Sequence, residues 1–270
     1  MSIKLNPHQV IPVQHIRNAY GLLLFHSPGS GKTITSLKMA EQFVSHKVLI
    51  ITTKSSIKAF QDDLVKIGWD TKSRPIEFYT YKKFVSAYTS DIAITNNKIV
   101  IIDEAHRLRN ESRDMSLIIT AVASSHRLVL LTATPVINYP SDIAPLINMV
   151  KKKEVLPTNT QLFDFYYLDE EDGSQLTNKS MLVSKLACSI SYYENVNQAS
   201  FPEVFVTVMK VEMDPTGGTN YGTMGVSQLL SVPYALYAAN GGSSSVNVTS
   251  STNGTASITD LSVKKKCPDT

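Results

Sequence analysis

HSPGSGKT at 26–33, IIDEAH at 101–106 and LTATP at 131–135 gather residue types that suit one chemistry. Gly29 and Gly31, with Ser27, Pro28 and Ser30 around them, form a loop that can curl so that successive N–H groups face phosphate oxygens. Lys32 then falls where an ammonium reaches β- and γ-phosphates, and Thr33 where a hydroxyl can ligate Mg²⁺. Asp103 and Glu104 are an acidic pair, costly unless it faces a cation. The division of labour it suggests is Mg²⁺ on Asp103, usually through water, and an attacking water oriented by Glu104. Thr132 and Thr134 are small hydroxylic residues able to bridge to His106 and relay nucleotide state. ATP and Mg²⁺ are the cofactors this set calls for. One departure stands out: the strict phosphate-loop pattern opens with Gly, and here that position is His26.

Such residues work only if something rigid aims them. YGLLLFH at 20–26 is an apolar run of strand length, and 33–46 carries helix-compatible spacing through Ile34, Leu37, Met39 and Phe43, so the glycine loop sits at a strand-to-helix turn. KIVII at 98–102 reads as a second buried strand with the acidic pair at its C-terminal end, where open α/β sheets place ligands. RLVLL at 127–131 is a third, and 48–51 a fourth, followed by a helix over 57–67. Strands alternating with helices through residue 150 predict an α/β fold with a parallel sheet covered by helices on both faces.

Composition bounds the rest. The chain has 270 residues, 43% hydrophobic and 18% charged, enough for one core or two small ones. Its net charge of +3 is too small to announce a nucleic-acid binder through bulk electrostatics, so any basic surface must be local. Residues 1–10 show no signal-peptide pattern and no apolar run approaches the roughly 20 residues of a membrane span; a cytoplasmic protein with no membrane partner is expected. Cys188 and Cys267 have no metal-ligand spacing. Lys151–Lys153 can be read equally as complementing a helix C-terminus or as meeting phosphate.

The strings LNPHQ at 5–9, LLLFHSPGSGKT at 22–33, FYTYKKF at 78–84, DEAHRLRN at 103–110 and LTATPVINYPSDIAPLINMV at 131–150 resemble the first RecA-like lobe of superfamily 2 helicases. The branch they resemble is the SNF2-like one, with the nucleoside triphosphatase I-type enzymes of large DNA viruses. The resemblance implies an ATP-dependent translocase or helicase whose nucleic acid, on RLRN and PVINYPSD, tilts toward double-stranded DNA. It implies that Gln9 reads adenine, and that Lys54 and Ser55 lie where the first lobe touches a nucleic-acid backbone, a contact that positions without reading sequence. Ser55 can also be read as a helix N-cap. In such enzymes a second RecA-like lobe supplies an arginine, and without it ATP turnover is expected to be slow.

The expected organisation is a RecA-like lobe at 1–150, a helical connector and strand at 151–214 leading toward that second lobe, and an irregular tail at 215–270. From 216 to 263 the only charged residue is Asp260, amid Gly, Ser, Thr and Asn. GGTNYGTMGVSQLLSVPYALYAANGG at 217–242 resembles a short segment of bacterial secreted or fibre-like surface proteins, and 243–257 reads as a polar linker. The second lobe is expected to be absent and the chain composite. A catalytically silent nucleotide-binding module is the alternative reading, and an adhesin-like protein, resting on the tail alone, a third.

Overall fold

The computed structural model describes residues 3–109, 112–168 and 176–194. The end of the expected connector and strand, from 195 to 214, and the segment 215–270 lie outside the described residues.

Four strands are fully buried apolar runs: β1 (Gly21–His26), β2 (Val48–Thr52), β4 (Ile99–Ile102) and, save its first residue, β5 (Arg127–Thr132). Burial on both faces is what a parallel sheet demands, because its crossover connections put helices on each side. With β3 (Ile76–Thr80) and β6 (Ile190–Tyr193), both only partly buried, they make one six-stranded sheet in the order β3-β2-β4-β5-β1-β6. Every pairing in it is parallel.

Side chains alternate between two cores. Leu22, Leu24, Ile50, Ile101 and Val129 face α2 (Lys32–Glu41) and α3 (Ser56–Ile67), packing on Leu37, Phe60 and Leu64. Leu23, Leu49, Val100, Ile102 and Leu130 face the opposite side, on α4 (Tyr81–Ser90), α5 (Arg113–Val122) and α6 (Ile143–Lys151) through Phe84, Ile118 and Ile147. Close approach of α6 to β1 depends on Gly21, where a Cβ would stand 2.8 Å from the Val150 Cα.

The structure adds elements that periodicity does not show. A short α1 (Pro7–His15) precedes β1, with Pro7 at its first turn and Pro12 inside it. The helix after the glycine loop ends at Glu41, not near His46. Turns follow, with Phe43 N–H on Ala40 O and His46 N–H on Phe43 O, and the Arg74 guanidinium adds a bond to each of these carbonyls, at 2.9 Å and 2.6 Å. Beyond residue 150, α7 (Thr160–Tyr167) and α8 (Lys179–Leu186) pack Phe163, Tyr167, Leu182 and Leu186 into the same core as α6. The following strand, β6, pairs with β1 in register His26 to Tyr193. Lys151 lies in the last turn of α6 and its ammonium donates to Ala187 O at 3.0 Å, so this member of the lysine run holds the α6 end to the α8 end.

Candidate nucleotide site

All six strands being parallel, their C-terminal ends lie on one edge of the sheet, and every loop singled out by chemistry leaves from that edge. The phosphate loop follows β1. Gly29 and Gly31 both take positive φ, +73° and +80°, which favours glycine, and Ser30 N–H donates back to Ser27 O at 3.3 Å. The first N–H groups of α2 have no intrahelical acceptor and give the loop positive character. Lys32 Nζ donates to His26 O at 2.7 Å and Ser27 O at 3.0 Å. Burial lowers its affinity for the proton, while the charges of Glu104 and Asp103 raise it. The lysine and both acids therefore share one electrostatic locus.

The acids leave β4. Asp103 N–H donates to Ile51 O at 2.9 Å, and its carboxylate accepts from the Thr52 hydroxyl at 2.8 Å. Glu104 takes φ +53°, which costs a non-glycine residue on the order of 1 kcal/mol or more. The chain then enters a 3-10 turn over Ala105–Arg109. His106 Nδ1 lies 3.2 Å from Glu104 Oε2 and 3.2 Å from Thr132 Oγ1. Burial lowers the proton affinity of this ring, against the pull of Glu104. A neutral ring with its proton on Nδ1 can donate to one or the other of these oxygens at a time. Thr132 Oγ1 also accepts from Thr134 N–H at 3.0 Å, so the threonines after β5 are joined to the acids through His106.

The loop after Thr134 is closed by Asp142, whose Oδ2 accepts from the N–H groups of Ile137 at 3.0 Å and Asn138 at 2.8 Å. Arg109 reaches the same carboxylate oxygen at 3.7 Å, tying PVINYPSD to the turn that holds His106.

Gln9 is buried under the phosphate loop. Its Nε2 donates to Gly31 O at 3.2 Å and Thr35 Oγ1 at 3.1 Å, and its Oε1 accepts from Asn6 N–H at 2.9 Å. The glutamine thus fastens α1 to the loop. Lys54 and Ser55 are exposed beyond the end of β2. Ser55 makes no side-chain cap; the Ser56 N–H at the start of α3 goes to Thr53 Oγ1 at 3.3 Å.

His26 is wholly buried and bonds Ser191 Oγ through Nε2 at 2.9 Å. Burial, with His8 and Lys32 adding to it, pushes its pKa down to about 4. Beside it His8 stacks on Tyr193, ring centroids 3.6 Å apart, and reaches Ser30 O at 3.0 Å. The histidine at the first loop position therefore joins β1 to β6, a role no spacing rule announces. Thr52, Tyr81, His8 and Arg109 were equally invisible, since each acts through a partner distant in sequence.

The residues present fit Mg-ATP. Ser30 Oγ is buried with no hydrogen-bond partner among the described residues, the space where Gly29 would carry a Cβ is open to 4 Å, and the loop begins a helix. Mg²⁺ in phosphate sites needs only one or two protein ligands beside the phosphates and water, which Thr33 and Asp103 can supply. Gly29, Gly31 and Lys32 would hold the phosphates; the metal would neutralise charge on them during transfer.

A parallel sheet with a phosphate loop after β1 and an acidic pair after β4 defines a RecA-like P-loop NTPase lobe. The chain belongs to the SNF2-related domain family, which matches residues 41–258. It is 42% identical over 213 residues to a candidate ATP-dependent RNA helicase of Acanthamoeba polyphaga mimivirus, covering 79% of this chain and 47% of that one. It is 30% identical over 227 residues to the termination factor NPH-I homologue of African swine fever virus, covering 73% of this chain and 32% of the other. The chain therefore spans less than half the length of these curated relatives. The SWI2/SNF2 ATPase core of Sulfolobus solfataricus, solved in complex with double-stranded DNA, shares the fold, with a TM-score of 0.60 at 17% identity. That likeness covers 74% of this chain and 46% of that one. Among the described residues no helix is long and apolar enough to cross a membrane.

Proposed function

We propose that this chain is the ATP-binding lobe of a nucleic-acid-dependent translocase or helicase, hydrolysing ATP to ADP and phosphate. The observation that carries it is the meeting of Lys32, Asp103 and Glu104 on one sheet edge, with His106 bridging Glu104 to Thr132. Lys32 and the loop hold phosphates, Thr33 and Asp103 hold Mg²⁺, and Glu104 takes the proton of the attacking water. His106 then reports the state of Glu104 to Thr132 and Thr134. Gln9, whose amide is spent on Gly31, Thr35 and Asn6, would read adenine only by giving up one of these bonds. Lys54 and Ser55, exposed on the same edge, touch a phosphate backbone.

Turnover by this lobe alone is slow. The two arginines next to the acids are engaged elsewhere, Arg109 on Asp142 and Arg107 against the Tyr81 ring at 5.7 Å. A transition-state arginine is worth about 10³ to 10⁵ in rate and would come from a second RecA-like lobe. Double-stranded DNA is the favoured nucleic acid, on the fold shared with a core solved on it, although the mimivirus relative is named for RNA.

The test is MgATP binding by calorimetry, then hydrolysis with and without double-stranded DNA or RNA, in the chain and in Lys32→Ala. Binding lost in Lys32→Ala supports the assignment; equal binding, or hydrolysis unchanged by the substitution, sinks it. Stimulation by RNA and not by DNA would reverse the choice of nucleic acid.

A further inference from the structure

The turn carrying Glu104 has to be held in a conformation that its own backbone resists. At φ +53° the residue is strained, and neither a glycine nor an asparagine is there to relieve it. A buried side chain from beyond β2 meets the backbone of this turn. Tyr81 Oη donates to Asp103 O at 2.6 Å and lies 3.2 Å from Glu104 O. It spans two successive carbonyls of the strained turn.

Tyr81 is well placed to act as a brace. It is the first residue of α4, directly after the edge strand β3, and it is buried with its ring in the core under α4 and α5. In the sheet order β2 lies between β3 and β4, so this hydroxyl crosses a whole strand to reach the acids. Its own position is fixed by the helix start, where the Thr80 side chain accepts from Lys83 N–H. A tyrosine hydroxyl carries its proton at neutral pH and so donates to these carbonyls. Lys82 and Lys83 follow it, both exposed.

We infer that Tyr81 is the positioning residue for Glu104: its hydroxyl fixes the turn from which the water-orienting carboxylate projects, and transmits to it any displacement of the α4 start. This rests on the role proposed for Glu104 above.

Tyr81→Phe in the full chain tests this, because it keeps the buried ring and removes one hydroxyl. Amide hydrogen exchange over 103–109 should accelerate about tenfold while exchange in α4 is unchanged. MgATP affinity and KM should hold within about twofold, and kcat should fall roughly 10- to 100-fold, the scale of a misplaced catalytic group. Unchanged exchange over 103–109 overturns the inference. So does equal loss of protection in α4, which would make the tyrosine a plain core residue. If the unsubstituted chain binds no MgATP, the assignment of the site fails instead, and the exchange comparison still decides whether Tyr81 braces the turn.

Discussion

Gly31 rests against Gln9: a Cβ added to Gly31 would stand 2.7 Å from the Gln9 Nε2. Gly31→Ala must therefore push the amide off both Gly31 O and Thr35 Oγ1 while holding alanine at φ +80°. A left-handed alanine alone costs about 1–2 kcal/mol. We expect a lower thermal midpoint together with loss of MgATP binding, measured on the same preparation. A midpoint equal to that of the parent would show that the glutamine is free to move.

Thr52→Val removes the hydroxyl that donates to Asp103 Oδ2 at 2.8 Å while keeping the side-chain shape. Groups that orient a metal ligand in this way affect metal affinity about 10- to 100-fold when removed. Calorimetric titrations should show MgATP binding weakened by that order and ATP binding in the presence of a chelator little changed.

His26 makes acid stability predictable in sign. Its folded pKa of about 4 lies below the unfolded histidine value near 6.5, so protons bind more readily to the unfolded chain. The contribution is complete above pH 6.5 and is lost as pH falls toward 4, on the order of 3 kcal/mol in all. Urea midpoints between pH 7 and 4.5 should fall in the parent and fall less steeply in His26→Asn, which retains an amide able to bond Ser191.

Arg74→Ala should destabilise the fold by roughly 2–4 kcal/mol. The guanidinium serves the carbonyls of Ala40 and Phe43 and stacks over the Trp69 ring at 4.5 Å, so its loss removes several charge-assisted hydrogen bonds and that stacking together, while a backbone N–H still meets each carbonyl. Arg74→Lys should recover little of this, since an ammonium cannot fork across several carbonyls. Thermal melts of the two variants give the comparison.

The parts of the fold legible in the sequence were those where one residue type repeats for one physical reason. GLLLFH, VLIIT, IVII and RLVLLT are buried on both faces, and their apolar continuity shows it without any knowledge of partners. The glycine loop, the acidic pair and the threonines stood out because phosphate and magnesium restrict which residues can serve them, and the parallel sheet brings all three to one edge. β6 was not, since ISYY is only half buried and gets its place from pairing with β1. Tyr81 was hidden for a related reason: its importance lies in two carbonyls more than twenty residues away. Gln9 was noticed for its expected contact with adenine, but its three bonds to the loop and to α1 emerge only from the packing.

The pairing of β6 with β1 has a mechanical meaning. Ser27 N–H donates to Tyr193 O at 2.9 Å, while Ser27 O is one of the two carbonyls that receive the Lys32 ammonium. Neighbouring strands are about 4.8 Å apart, so the end of β6 lies within a strand's width of the phosphate loop. Lys32 Nζ also reaches His26 O at 2.7 Å, and that carbonyl belongs to the same peptide unit as the Ser27 N–H held by Tyr193 O. A lysine that exchanged His26 O for a phosphate would let go of the very peptide unit that β6 holds, so a change at the phosphates would be felt first at the end of that strand.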